Sequence, residues 1–262
     1  MKSNIPDKQP LDDHDYSIKH FVKEALHDLT HFDTKLIKTL KPLLFKPGYL
    51  TRKAFSAEQS EYVKPLALFV FLNFIFFIFK VKGLFNYNLE GYQSEKFYKN
   101  IVTGAFNKTG LSPALFAERF NTAMKFEEKE YLIIMVPLLA ALVQLLYIFQ
   151  KKHYIQHLIF SLHFYSFFLV FLTLSPLLFY IIVFLLQLVH IKTAFLFSES
   201  ATLGIVLPVW FVYLLFSMRL VYRQNWLLTI FKAAVATGGV LALIIFVYRL
   251  ALFFIVLHSV SD

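Results

Sequence analysis

Four residues at the start of one long apolar run have types and spacing that could do chemistry: His153, Gln156, His157 and His163. On a continuous helix, His153 and His157 are one turn apart, and Gln156 and His163 nearly eclipse. All four fall in a band about 120° wide. Two or three imidazoles so placed could hold zinc, iron or copper, or pass protons. Ionisable groups are costly at membrane depth, so each is a candidate for function. A plainer role competes: His153 and His157 stand at headgroup level, where an imidazole is stable without a task, and the others pack helix on helix. No Asp or Glu lies inside an apolar run to complete a ligand set. His153, His157 and His163 are therefore metal candidates, and no cofactor is firmly implied.

Three further polar residues sit inside apolar runs: Asn73, Gln144 and Arg249. A mid-span amide usually bonds a neighbouring helix. Arg249 either snorkels to the outer interface, the expected outcome so near the polar end, or holds an anion in the bundle. The chain carries no HExxH, no Gly-rich phosphate loop, no ordered Ser-His-Asp set and no carboxylate pair in the apolar runs, so nothing in it supports catalysis. It has no cysteine, which removes disulfides, thiolate metal sites and cysteine nucleophiles.

These residues must be positioned by membrane helices. With 58% hydrophobic and 16% charged residues, the composition fits a bundle in lipid rather than a water-soluble domain. The expected fold is all-α, a polytopic transmembrane bundle of about five spans near 65–79, 131–149, 154–189, 201–218 and 233–257. Between Lys152 and Lys192 there is no charged side chain. That run far exceeds the ~30 Å hydrocarbon core. Thr173-Leu174-Ser175-Pro176 interrupts it, giving either one kinked helix or a hairpin. The short remainder Leu177–Ile191 favours the single helix. Gly238-Gly239 offers a small patch for close helix approach.

Residues 1–16 read as a disordered polar tail. Residues 17–64 carry apolar positions at helical spacing, including Ile18, Phe21, Leu29, Leu36, Leu40 and Leu43, with lysines facing away. Such a basic amphipathic segment either lies on anionic lipid at the membrane surface or packs on the protein's own cytoplasmic face. Pro47-Gly48 signals a turn, and Ser112-Pro113 a capped helix start inside the 80–130 loop. No cleavable leader is visible, so the first span is expected to act as its own insertion signal.

Charge suggests orientation. Lys and Arg number eleven in residues 1–64, two at 151–152 and three at 219–232, while nothing basic follows Arg249. The positive-inside rule then places the N-terminus in the cytoplasm and, with five spans, the C-terminus outside, in a bacterial cytoplasmic (inner) membrane. The net charge of +9 gathers beside apolar runs. It therefore points to the lipid bilayer, and to anionic lipid at the N-terminal helix, rather than to nucleic acid. Protein partners are the remaining class. The expected function is a non-enzymatic membrane scaffold or interaction protein. A small carrier or channel, motivated by Pro137, Pro176 and Pro208 within spans, and an intramembrane metal enzyme or metal transporter are the alternatives.

Several blocks, in order, carry a resemblance: Asp33-Thr34-Lys35, Leu44-Phe45-Lys46-Pro47-Gly48-Tyr49-Leu50, Tyr62-Val63-Lys64-Pro65-Leu66, Met135-Val136-Pro137-Leu138, and the stretch from His153 to Phe164. Together they resemble a polytopic membrane family, domain of unknown function 3667, over roughly residues 17–230. Its members commonly begin with paired CxxC motifs like a zinc ribbon, which this cysteine-free chain lacks. The family pattern has Glu where this chain has Gln156, and Gly-Lys-Arg where it has Glu58-Gln59-Ser60. The resemblance implies the topology and directs attention to the histidines; it implies no activity.

Overall fold

The computed structural model describes residues 33–56, 61–79, 88–190, 193 and 199–261. The expected tail, the amphipathic stripe before residue 33, and Glu58-Gln59-Ser60 lie outside the described residues. Among them every regular element is helical: α1 Asp33–Phe45, α2 Tyr49–Ala54, α3 Pro65–Ile78, α4 Leu89–Gln93, α5 Lys96–Thr109, α6 Pro113–Glu130, a 3-10 turn Tyr131–Ile134, α7 Met135–Leu146, α8 Tyr154–Leu188, α9 Glu199–Tyr222, α10 Trp226–Ala242, a π-helical segment Leu243–Tyr248 and α11 Arg249–Ser261.

Among the described residues three helical stretches are long and apolar enough to cross a membrane: Tyr154–Leu188, Leu203–Tyr222 and Trp226–Val260. The bent pair α6 and α7, turning by 50°, makes a fourth if it counts as one span. The expected count of about five is thus met only in part. α3 has 14 residues, roughly 21 Å of rise, and α7 has 12; each is short of the ~30 Å hydrocarbon core.

Two expected boundaries move. The last helix begins at Trp226, not 233, because the Asn225 side chain accepts the Leu228 N–H at 2.9 Å and caps it there. Lys232 is consequently helical, as is Arg219 near the end of α9. Pro176 makes no hairpin: α8 is one helix of 35 residues. A proline leaves the carbonyl four residues earlier without its usual donor, here Leu172. The Ser175 hydroxyl donates to that oxygen at 3.2 Å, so the helix continues with the group satisfied.

α8 organises the bundle. Its first half is buried against α3 and α7, with Ser161, Phe164, Tyr165 and Phe168 nearly inaccessible, while Leu177, Tyr180, Phe184 and Leu188 in its second half are exposed. α9 pairs with α10, and α10 packs on α7. There a Cβ on Gly239 would fall 2.3 Å from the Leu142 side chain, so glycine permits that approach; nothing crowds Gly238.

The α1–α2 hairpin packs on α8 and α9. Thr39 is fully buried; its hydroxyl donates to the Lys35 carbonyl and accepts the Val63 N–H at 3.0 Å, tying α1 to the entry of α3. The Tyr213 hydroxyl donates to the Leu43 carbonyl at 3.1 Å. Gly48 makes the turn with φ of 80°, and a Cβ there would lie 2.8 Å from the Ser217 backbone of α9. Both the left-handed conformation and the contact demand glycine.

The turn thus predicts its own mutant. Gly48→Ala, strained at φ and pressed on backbone that cannot rotate away, should lower unfolding free energy by about 2–4 kcal/mol. Gly238→Ala should be near neutral. Denaturation of both variants in the same detergent checks this; equal midpoints would refute the close docking.

Candidate functional site

α8 starts at Tyr154, where the Gln156 side chain accepts the His153 backbone N–H at 3.1 Å and closes the first turn. Gln156 is thereby spent on capping. The His153 side chain is exposed, whereas His157 and His163 are buried. The sequence band places the latter two about 120° apart, and that angle directs them to different neighbours. His157 Nδ1 lies 2.8 Å from the Tyr222 hydroxyl at the end of α9. His163 Nδ1 lies 3.0 Å from the Thr51 hydroxyl of α2. Among the described residues no three His, Asp or Glu side chains form a group able to hold a metal ion.

Beside His163 is a cavity of about 10 Å³ lined by Leu50, Ala54, Tyr62, Val63 and Pro65. It has room for roughly one water and is far smaller than a ligand pocket. At its rim the Tyr49 and Tyr62 hydroxyls meet at 3.3 Å, and that hydrogen bond, with burial, raises the Tyr62 hydroxyl to about 12.

His157 opens onto a richer cluster. Its ring lies nearly parallel to Tyr222, which stacks on Tyr147 at 3.8 Å between centroids. Lys232 sits 4.0 Å from the Tyr147 ring centroid, and Lys152 lies over both Tyr222 and Phe55. The Gln150 amide donates to the Tyr222 carbonyl, an Arg219 guanidinium nitrogen donates to the Gln224 carbonyl, and Arg219 lies over Trp226. The connections after α7 and after α9 and the end of α2 therefore meet at one end of the bundle. Basic loops interleaved with Tyr and Trp were the only sequence signal for it. The tyrosines themselves, scattered among 14, carried none.

The remaining polar candidates separate. Gln144 lies on the exposed side of α7. The Asn73 side-chain oxygen in α3 is buried with no hydrogen-bond partner. Arg249, expected either to snorkel to the outer interface or to hold an anion, meets a carboxylate of the chain itself. It pairs with Glu95 at 2.6 Å and lies over the Tyr92 and Tyr98 rings, because α11 packs on α5 and α6 and brings a carboxylate from the 80–130 region to it. The Tyr92 hydroxyl also donates to the Arg249 carbonyl at 3.0 Å. An open groove of about 440 Å³ lies nearby, lined by Leu115, Glu118, Arg119, Phe126 and Ser259.

Residues 33–77 match the model of a family described as protein of unknown function, DUF3667. That stretch comprises α1, α2 and α3, the elements carrying Thr39, Gly48 and Thr51. No curated protein and no solved structure matches the chain.

The Thr51–His163 contact can be measured directly. Thr51→Val leaves a buried imidazole nitrogen without its partner and should cost about 1–3 kcal/mol. His163→Leu should cost a similar amount, and the double variant less than the sum by at least about 0.5 kcal/mol. Strict additivity in a double-mutant cycle would show that the hydrogen bond contributes nothing.

Proposed function

We propose that this chain is a multi-pass protein of the bacterial cytoplasmic membrane that acts as a non-catalytic scaffold, presenting its N-terminal segment at the cytoplasmic face to protein or lipid partners. One observation carries the reading: the buried histidines serve as ties. His163 fastens α2 to α8, and His157 fastens the end of α9 to α8. Imidazoles whose Nδ1 atoms are engaged by hydroxyls from other helices act as the interhelical glue expected of polar residues in lipid. Exposed Ile37 and Phe45 on α1 leave that segment an apolar outer edge for a partner or the bilayer surface. A carrier draws less support, since α8 passes Pro176 unbroken and the cavity beside His163 holds about one water. The metal reading draws less still, as His157 and His163 engage separate neighbours, Tyr222 and Thr51.

The scaffold reading includes a sidedness. The end formed by α2 and the 151–153 and 223–225 connections is rich in Lys and Arg, which favours the cytoplasm. From there Trp226–Val260 rises about 52 Å to meet α5 and α6, which favours an outer location for the C-terminus and the 80–130 region.

Two experiments test this. Single cysteines replacing Lys46, Lys151, Lys108 and His258 should divide under an impermeant maleimide applied to intact spheroplasts: the last two react, the first two only after lysis. Reaction of Lys151→Cys and His258→Cys from one side refutes the topology. Separately, a folded Thr51→Val/His163→Leu variant should lose co-purifying proteins and lipids that the parent retains. An unchanged set counts against the scaffold role.

A further inference from the structure

The end of the bundle where α8 begins carries more positive charge than the chain neutralises. Lys151 and Lys152 lie between α7 and α8, Arg219 and Arg223 at the end of α9, and Lys232 in the second turn of α10. Among the described residues none of the five makes an ion pair with a carboxylate. Among the described residues the acids with side chains in view are Glu61, paired with Lys38, and Glu90, Glu95, Glu118 and Glu127 in the α4–α6 region.

Three of these cations are held in place by aromatic rings. Lys152 lies 5.7 Å from the Tyr222 centroid and 5.3 Å from Phe55, Lys232 lies over Tyr147, and Arg219 over Trp226. Stacked Tyr147 and Tyr222 link Lys232 and Lys152 through one aromatic pair, while Arg219 rests on Trp226 beside them. Fixing long cationic side chains costs rotamer entropy, and holding like charges together costs Coulomb energy. Burial first, and then the neighbouring Arg223 cation, push the Lys152 ammonium below the usual lysine value.

Two independent features point to a ligand. Arg219 Nε and the Tyr147 hydroxyl are buried with no hydrogen-bond partner, although both are strong donors. Arg223 takes a left-handed backbone with φ of 52°, at a helix end where glycine is the usual residue. Strain kept by a non-glycine residue implies that its side chain is worth keeping.

We propose that Lys152, Arg219, Arg223 and Lys232 form a binding site for a phosphate-bearing anion at the cytoplasmic membrane surface. Lys152, Arg219 and Lys232 over tyrosine and tryptophan rings, with Arg223 beside Lys152, suit a phosphate: charge-assisted N–H donors take its oxygens, and the rings hold three of the cations in place. The same chemistry serves an anionic lipid headgroup, drawn from the inner leaflet, and a soluble phosphate, so the source is a matter for the test. The cytoplasmic placement rests on the sidedness proposed above; the anion-binding chemistry of the cluster does not depend on the scaffold role.

The experiment uses the full chain in nanodiscs of phosphatidylcholine, with Trp226 fluorescence and thermal midpoint as readouts. Trp226 is half exposed beneath Arg219, whereas Trp210 is buried. Dihexanoyl phosphatidic acid and inorganic phosphate are titrated separately. Saturable binding of either is expected, weakened roughly tenfold or more in Lys152→Gln and in Arg223→Gly. Lys46→Gln, a cation elsewhere on the surface, should bind like the parent. Arg223→Gly is the informative variant: glycine relaxes the left-handed backbone, so the unliganded protein should melt no lower, and even slightly higher, while losing affinity. Binding of the lipid alone assigns a headgroup; binding of both assigns the phosphate group itself; binding of phosphate alone assigns a soluble anion. No saturable binding of either probe, or equal affinity in all variants, overturns the proposal.

Discussion

The bundle depends on one contact: the α1–α2 turn pressed into the seam between α8 and α9. At Gly48 the backbone meets the backbone of Ser217 so closely that no side chain fits. That approach lets Thr51 reach His163, and Tyr213 reach the Leu43 carbonyl. In lipid a polar group left alone has no water to turn to, so each such pairing is worth its full desolvation penalty. Remove the turn and two buried polar groups lose their partners together. The family match falling on residues 33–77 fits this, since the stretch holds the docking hairpin and the helix it feeds.

Charge is divided along the bundle in a corresponding way. One end gathers cations over aromatic faces with no carboxylate of the described residues to meet them. At the other, Arg249 finds Glu95 between two tyrosines. An isolated cation inside an apolar helix is expensive. The chain offsets it by folding the region before α7 back onto the last helix, which also covers Phe253 with Tyr92 and Tyr98. The two ends thus differ in kind: the first keeps unspent charge, the second consumes it.

The long helices show how a proline is accommodated. Ser175 supplies the donor that Pro176 lacks, and α8 runs on past the bundle's packed half. Beyond that point Leu177, Phe184 and Leu188 face outward with nothing over them in the chain, a surface suited to acyl tails. The short α3 and α7 flank only the buried half of α8, so helix length and burial follow one another.

Composition and the apolar runs by themselves determined that the chain is helical and carries stretches long and apolar enough to cross a membrane, because in lipid the backbone has few alternatives to the helix. They also determined the turn at Pro47-Gly48 and the start at Pro113, since these follow from local backbone chemistry; of the pair Gly238-Gly239, packing chose Gly239 for the close approach. The band of His153, Gln156, His157 and His163 was legible as a face of α8. What the face touches was not: spacing along one helix carries no record of whether a neighbour brings a hydroxyl, a carboxylate or another imidazole. Only the tertiary structure sent His157 to Tyr222 and His163 to Thr51, 65 and 112 residues away in the chain. The same holds for Arg249. Its depth suggested snorkelling, but its partner Glu95 comes from a region that periodicity reads as a polar loop. Local pattern fixes which groups must be satisfied; long-range packing chooses what satisfies them.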